Sequence, residues 1–242
     1  MNHSLKDYKP MDYRDWIIGD EARNGANIKR LGILNEKELT ILEAAIPYQD
    51  QRNDPGQAEI VAYFAVKLLD YLPGKREVVV PAAILHDTGF HGGDSGEWLR
   101  LVRSGEAYET EEKRRPHQNR GCLIAGRVLE RVGYSEKHQN EIADIIGDHD
   151  TRKLPTTESG TIMRAADLLW RVTYPHDKLY THDLPDCQTR EGLRKYVCDD
   201  IFDIGPDETA LKKLEGISRT LGEIELENTL DFIFGNGDTR TH

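Results

Sequence analysis

Apolar positions recur at three- and four-residue spacing in every long segment of the chain. No stretch alternates apolar with polar residues as a half-buried strand would. "QAEIVAYFAVKLLDYL" (57–72) carries the clearest stripe, with Ile60, Val61, Phe64, Ala65, Leu68 and Leu69 on one helical face. "LPG" closes it. "NEKELTILEAAIPY" (35–48) opens on Asn35 as N-cap, with acids in the first turn that suit the helix dipole. "REVVVPAAILHD" (76–87) admits a strand at Val78–Val80, but Pro81 fits the first turn of a short buried helix better. Helices are also expected at "EWLRLVR" (97–103), 117–134, 135–150, 161–174, 189–198, 207–216 and 219–234. Residues 1–35 are polar, punctuated by Gly19, Gly25 and Gly32, and predict an extended or loosely helical arm. Residues 91–116, glycine-rich and then charged, predict a loop around the one small helix. No repeat or composition break divides the chain. The pattern predicts a single all-α domain over 1–242, with an N-terminal arm (1–35) and C-terminal helices (189–234).

Composition narrows the partners. A hydrophobic fraction of 38% over 242 residues supports a core. The formal net charge of −11 argues against polymeric nucleic acid, whose phosphates need a basic face. It leaves room for a small anionic substrate in a local basic pocket. Three cysteines without a CxxC pattern fit a reducing compartment. "MNHSLKDYKPMDYRDW" lacks the apolar core of a signal peptide, and no apolar run approaches the roughly 20 residues of a membrane span. The expectation is a soluble cytoplasmic protein without a membrane partner; the oligomeric state is left open.

Candidate chemistry lies where helices are expected to end. "AAILHDTGFHGGD" (82–94) runs an apolar segment straight into His86-Asp87. His117 starts another helix, His149 ends the next in "IIGDHD", and Asp167 sits inside "RAADLLW". Imidazole and carboxylate oxygen together suit borderline and hard divalent metals. A histidine at a helix end serves equally well as a cap or a hydrogen-bonded surface group. Asp167 differs, because a carboxylate among Ala165, Ala166, Leu168 and Leu169 is costly to bury unpaired.

In order and spacing these motifs resemble the HD-domain superfamily of metal-dependent phosphohydrolases. "AAILHDTGF" is similar to the His-Asp motif, "RRPHQNRGCLIAGRVLERVG" and "EIADIIGDHD" to the third- and fourth-histidine helices, and "IMRAADLLWR" to the distal aspartate motif. The resemblance covers about residues 50–175 and implies an HD-domain helical bundle with extra N- and C-terminal helices. It implies His86, Asp87, His117, His149 and Asp167 as ligands of one or two divalent ions (Fe, Mn, Zn, Co or Mg). The slot for the family's first histidine holds Gln57, whose amide oxygen is a weaker ligand. One position would then use His86, Asp87, Asp167 and Gln57, and the other Asp87, His117 and His149.

Around these ligands, Arg152 and Lys153 follow His149 and are candidates for holding an anion. Lys113–Arg115 and Arg120 flank His117 and either bind phosphate or pair with Glu111 and Glu112. Asp150 either orients His149 or acts as acid/base beside Asp87. His91 is a loop residue or a proton donor. Arg52, Asn53 and Asp54 can shape the pocket mouth. The resemblance implies a metal-dependent hydrolase of a phosphomonoester or nucleotide, using metal-activated water. Its alternatives are a diiron oxygenase that cleaves a carbon bond with dioxygen, which needs every ligand including the slot of Gln57, and a binding protein without turnover.

Overall fold

The computed structural model describes residues 5–52, 54–93, 111–202 and 214–241. In chain order its longer helices are α1 (Ala26–Leu31), α2 (Glu36–Ala45), α3 (Gln57–Leu69), α4 (Arg76–Leu85) and α5 (Glu111–Arg131), then α6 (Glu136–Asp148), α7 (Glu158–Leu169), α8 (Arg190–Ile201) and α9 (Gly216–Phe234). Short turns of helix join them. Among the described residues no strand forms, and one isolated bridge pairs Thr189 with Thr239. The fold is all-α. The helix expected at 97–103 and the segment 207–213 lie outside the described residues, as does Asn53.

The bundle is built around α4. Every residue from Val78 to Leu85 is buried, which is how a helix apolar on all sides behaves. Helices α2, α3, α6 and α7 pack against it. The strand alternative at Val78–Val80 falls, and the helix starts at Arg76, so Pro81 lies inside it and not in its first turn. Proline lacks the N–H that would bond the carbonyl four residues back. That carbonyl, on Glu77, instead accepts a hydrogen bond from the Tyr134 hydroxyl at 2.6 Å.

Two further boundaries move. Helix α5 begins at Glu111, although 91–116 read as loop; Pro116 sits within it. Helix α7 begins at Glu158, three residues earlier than expected, because the Thr157 side chain accepts the Gly160 N–H and caps it. Asn35 caps α2 as expected, in a full capping box with Glu38.

The N-terminal arm consists of turns, α1 and extended chain, and it docks. Met11, Tyr13 and Trp16 are buried. Glu225 on α9 accepts from the Tyr8 hydroxyl and from the Met11 N–H (3.1 Å), Tyr13 Oη shares a hydrogen bond with Thr229 Oγ1 at 2.7 Å, and Asn228 donates to the Met11 carbonyl. Among the described residues no helix is long and apolar enough to cross a membrane.

Candidate metal centre

Two of the histidines are placed by one local device. His86 is the C-cap residue of α4 and His149 that of α6. The last carbonyls of a helix have no partner within it. Nδ1 of His86 lies 2.8 Å from the Ala83 carbonyl, and Nδ1 of His149 lies 2.7 Å from that of Ile146. Each ring is thereby fixed with Nε2 facing the interior, the arrangement metal-binding imidazoles need. Asp87 follows His86 and leads into the turn Thr88–Phe90, which α5 crosses. The crossing is close: a Cβ on Gly89 would stand 1.7 Å from the His117 carbonyl oxygen and 2.4 Å from the Gly121 nitrogen. Only glycine permits that approach, which carries His117 to Asp87. The Phe90 ring stacks on the His117 imidazole, centroids 4.2 Å apart.

Asp87 divides the centre in two. Its Oδ1 lies 3.5 Å from His149 Nε2 and 4.0 Å from His117 Nε2. Oδ2 of Asp150 lies 3.0 Å from His117 Nε2 and 3.3 Å from His149 Nε2. Donor atoms of Asp87, His117, His149 and Asp150 thus all lie within 4.8 Å of one another. Donors about 2.1 Å from a divalent ion stand about 3.0 to 3.5 Å apart in octahedral or tetrahedral geometry. Three of the four imidazole–carboxylate separations fall in that range and the fourth is 4.0 Å, so the cluster suits an ion in its chemistry and comes close to it in spacing.

The other oxygen, Asp87 Oδ2, faces a different set. Arg52 donates to it at 2.7 Å, Gln57 Nε2 donates at 3.3 Å, and His86 Nε2 lies 3.2 Å away. His86 Nε2 is also 3.2 Å from Gln57 Nε2 and 3.4 Å from Asp167 Oδ1. Gln57, at the start of α3, and Asp167, on α7, therefore both reach the centre.

The charges shape one another. Burial opposes charge on His149, but Asp150 and then Asp87 override it and lift its pKa to about 9. Burial is likewise overridden at His86 by Asp87 and Asp167, and its pKa rises. At His117 burial prevails over Asp150 and the pKa falls. Burial would raise Asp87, but Arg52 and His86 hold it well below the usual carboxylate range.

Most arginines that follow or precede the ligands are engaged in structure. Arg114 donates to the Asp150 carbonyl, Arg115 to that of Gly147, and Arg164 to those of Asp148 and Lys153. They satisfy carbonyls at and just beyond the C-terminus of α6, where cations also complement the helix dipole. Arg120 donates to the Gly89 carbonyl. Arg152 pairs with Asp148 while 46% of its side chain stays exposed, and Lys153 is exposed. His91 is exposed, edge-on to Tyr48. A small cleft of about 20 Å³ beside His149 is lined by Asp148, Arg152 and Arg164; another of about 10 Å³, lined by Arg52, Asp54, Gln57 and Phe90, reaches Asp87. Phe90 had drawn no attention in the sequence. Its signal was an aromatic residue three places beyond a ligand pair in a short glycine-containing turn.

An all-helical bundle that gathers imidazoles and carboxylates around a His-Asp pair at a helix end has the donor set of a metal-binding helical protein. Residues 58–171, just under half of the chain, match the family model of the HD domain, the domain of the HD-domain superfamily. Comparison with curated proteins and with solved structures gave no match. The family suggests a metal-dependent hydrolase that binds divalent ions.

Proposed function

We propose that this protein is a metal-dependent hydrolase of a small anionic substrate, a phosphomonoester or nucleotide. The observation that carries the reading is the donor cluster of Asp87, His117, His149 and Asp150, whose imidazole–carboxylate separations run from 3.0 to 4.0 Å and whose donor atoms all lie within 4.8 Å of one another. Asp87 Oδ1 and the Nε2 atoms of His117 and His149 are the ligands in this reading. A divalent ion bound there supplies Lewis acidity toward water and a phosphoryl oxygen. Asp87, His117 and His149 would hold such an ion as three protein ligands, the number found in catalytic zinc sites, where closed structural sites use four. Asp150 takes the proton of the attacking water at its carboxylate, for which its place beside both imidazoles suits it. His86 and Asp167 brace Asp87 from the other side. Arg152 and Lys153, on the segment that follows His149, bind the phosphate oxygens, and a guanidinium does so bidentately.

The test is a screen of phosphomonoesters and nucleotides with Mn, Co, Mg, Fe or Zn added. Phosphate release that a chelator abolishes and added metal restores is expected. Silence with every metal would overturn the reading.

A further inference from the structure

The Oδ2 side of Asp87 is already occupied by the chain itself. Arg52 stands 2.7 Å from Asp87 Oδ2 and 2.6 Å from Asp54 Oδ2, with only 13% of its side chain exposed. Its guanidinium carbon lies 4.5 Å from the centre of the Phe90 ring, a further cation contact. Asp54 is buried, so Arg52 cannot swing away without leaving a carboxylate buried and unpaired. Nor can it vacate the place by losing a proton, because guanidinium stays charged in proteins. Gln57 presents its amide nitrogen, a donor with no lone pair for a metal, to Asp87 Oδ2 and His86 Nε2 at 3.3 and 3.2 Å. A second ion at this place would meet a fixed positive charge and hydrogen-bond donors. The opposite side of Asp87 presents the cluster that fits an ion, and neither His86 nor Asp167 belongs to it.

We propose that Arg52 and Gln57 take the place of a second metal. The centre then holds one divalent ion on the Oδ1 side of Asp87, with His117 and His149, and a resident guanidinium on the Oδ2 side. This rests on the metal-dependent reading above. It makes Arg52 a positioning residue that fixes the Asp87 carboxylate, and it makes His86 and Asp167 supports and not ligands. One ion and one guanidinium then share a carboxylate that two ions would otherwise bridge.

Mn(II) alone is the probe. The full chain is stripped with chelator, loaded with Mn(II) and dialysed, and then its Mn content and electron paramagnetic resonance spectrum are measured. One Mn per chain with the spectrum of an isolated ion is expected. Asp167→Asn should keep that single ion, and His117→Ala should lose it. Arg52→Ala combined with Gln57→His should take up a second ion, with an exchange-coupled spectrum. Two coupled ions in the unaltered protein would overturn the proposal and leave the hydrolase reading standing. So would loss of the ion in Asp167→Asn together with its retention in His117→Ala. A folded double variant that still binds one ion would overturn the role of Arg52. No bound Mn in the unaltered protein would overturn the proposal, while the hydrolase reading is decided by the screen with every metal. If the double variant does not fold, the unaltered protein and Asp167→Asn still decide.

Discussion

Asp150 and Asp87 are both carboxylates beside the same two imidazoles, yet the proposed roles differ. Asp87 sits between His149 and Arg52, so one of its oxygens is anchored by a cation while the other is left for a metal. Asp150 stands 3.0 Å from the His117 Nε2 and 3.3 Å from the His149 Nε2, a place from which it exchanges a proton in the proposed reaction. Asp150→Asn should therefore keep Mn affinity within a few-fold while kcat falls about 10² to 10⁴-fold, the range for removing a general base. Loss of metal in that variant would make Asp150 a fourth ligand. At this scale much of the centre was legible in the sequence. His86, Asp87 and His149 end apolar segments, and Asp167 is a carboxylate amid aliphatic neighbours. The share of Arg52 was not legible as more than a place at the pocket mouth. An arginine in a turn carries no local sign of a partner 35 residues away.

The crossing of α5 over the turn after Asp87 is the element-scale feature on which the centre depends. Gly89 and Gly121 let the two backbones meet, and α5 then delivers His117. Gly89→Ala must push α5 outward, because the clash is with backbone and no side-chain rotation relieves it. Overpacking of this kind costs roughly 1–3 kcal/mol. The denaturation midpoint should fall, and Mn affinity should fall with it as His117 withdraws. A variant unchanged in both would show that the crossing has room for a methyl group. Helix type was legible throughout the described segments, since the stripes of α2, α3 and α7 are strong. The boundaries that moved did so for reasons held elsewhere in the chain. Pro81 is tolerated because Tyr134, 57 residues from Glu77, reaches the carbonyl it leaves without a partner. Local sequence cannot show that. The start of α5 was hidden by Pro116 and by a run of charge that reads as solvated loop until Arg114 and Arg115 find carbonyls near the end of α6.

Over the whole molecule, buried carboxylates hold the N-terminal segment in place. Burial lifts the pKa of Glu225 to about 7, against hydrogen bonds from Tyr8, Met11 and Asn228 and the charge of Lys67 that lower it. Glu59, which accepts from the Ile28 N–H at 2.8 Å, is likewise raised to about 7 by burial. A carboxyl whose folded pKa exceeds its unfolded value favours folding in its neutral form. The stability it contributes is fully present below about pH 4.5 and is lost as pH rises through about 7. Glu225→Gln removes the charge and keeps an oxygen for the Met11 N–H. Its Tm should match the parent near pH 4 and exceed it at pH 8 by roughly 10 °C. Equal Tm values at pH 8 would show that Glu225 is ionised without cost. The same contacts bear on how the chain acquires its shape. Tyr8 and Glu225 are separated by 217 residues, and at synthesis rates of about 5–20 residues per second that is a wait of about 10 to 40 seconds. Throughout it Tyr8, Met11 and Tyr13 lack their partners on α9, while for about the last quarter of it, once Leu169 is made, the segment from α3 to α7 has all of its own. On the ribosome this bundle can close before α9 exists, so the stretch from Tyr8 to Tyr13, though made earlier than the bundle, finds its place after it.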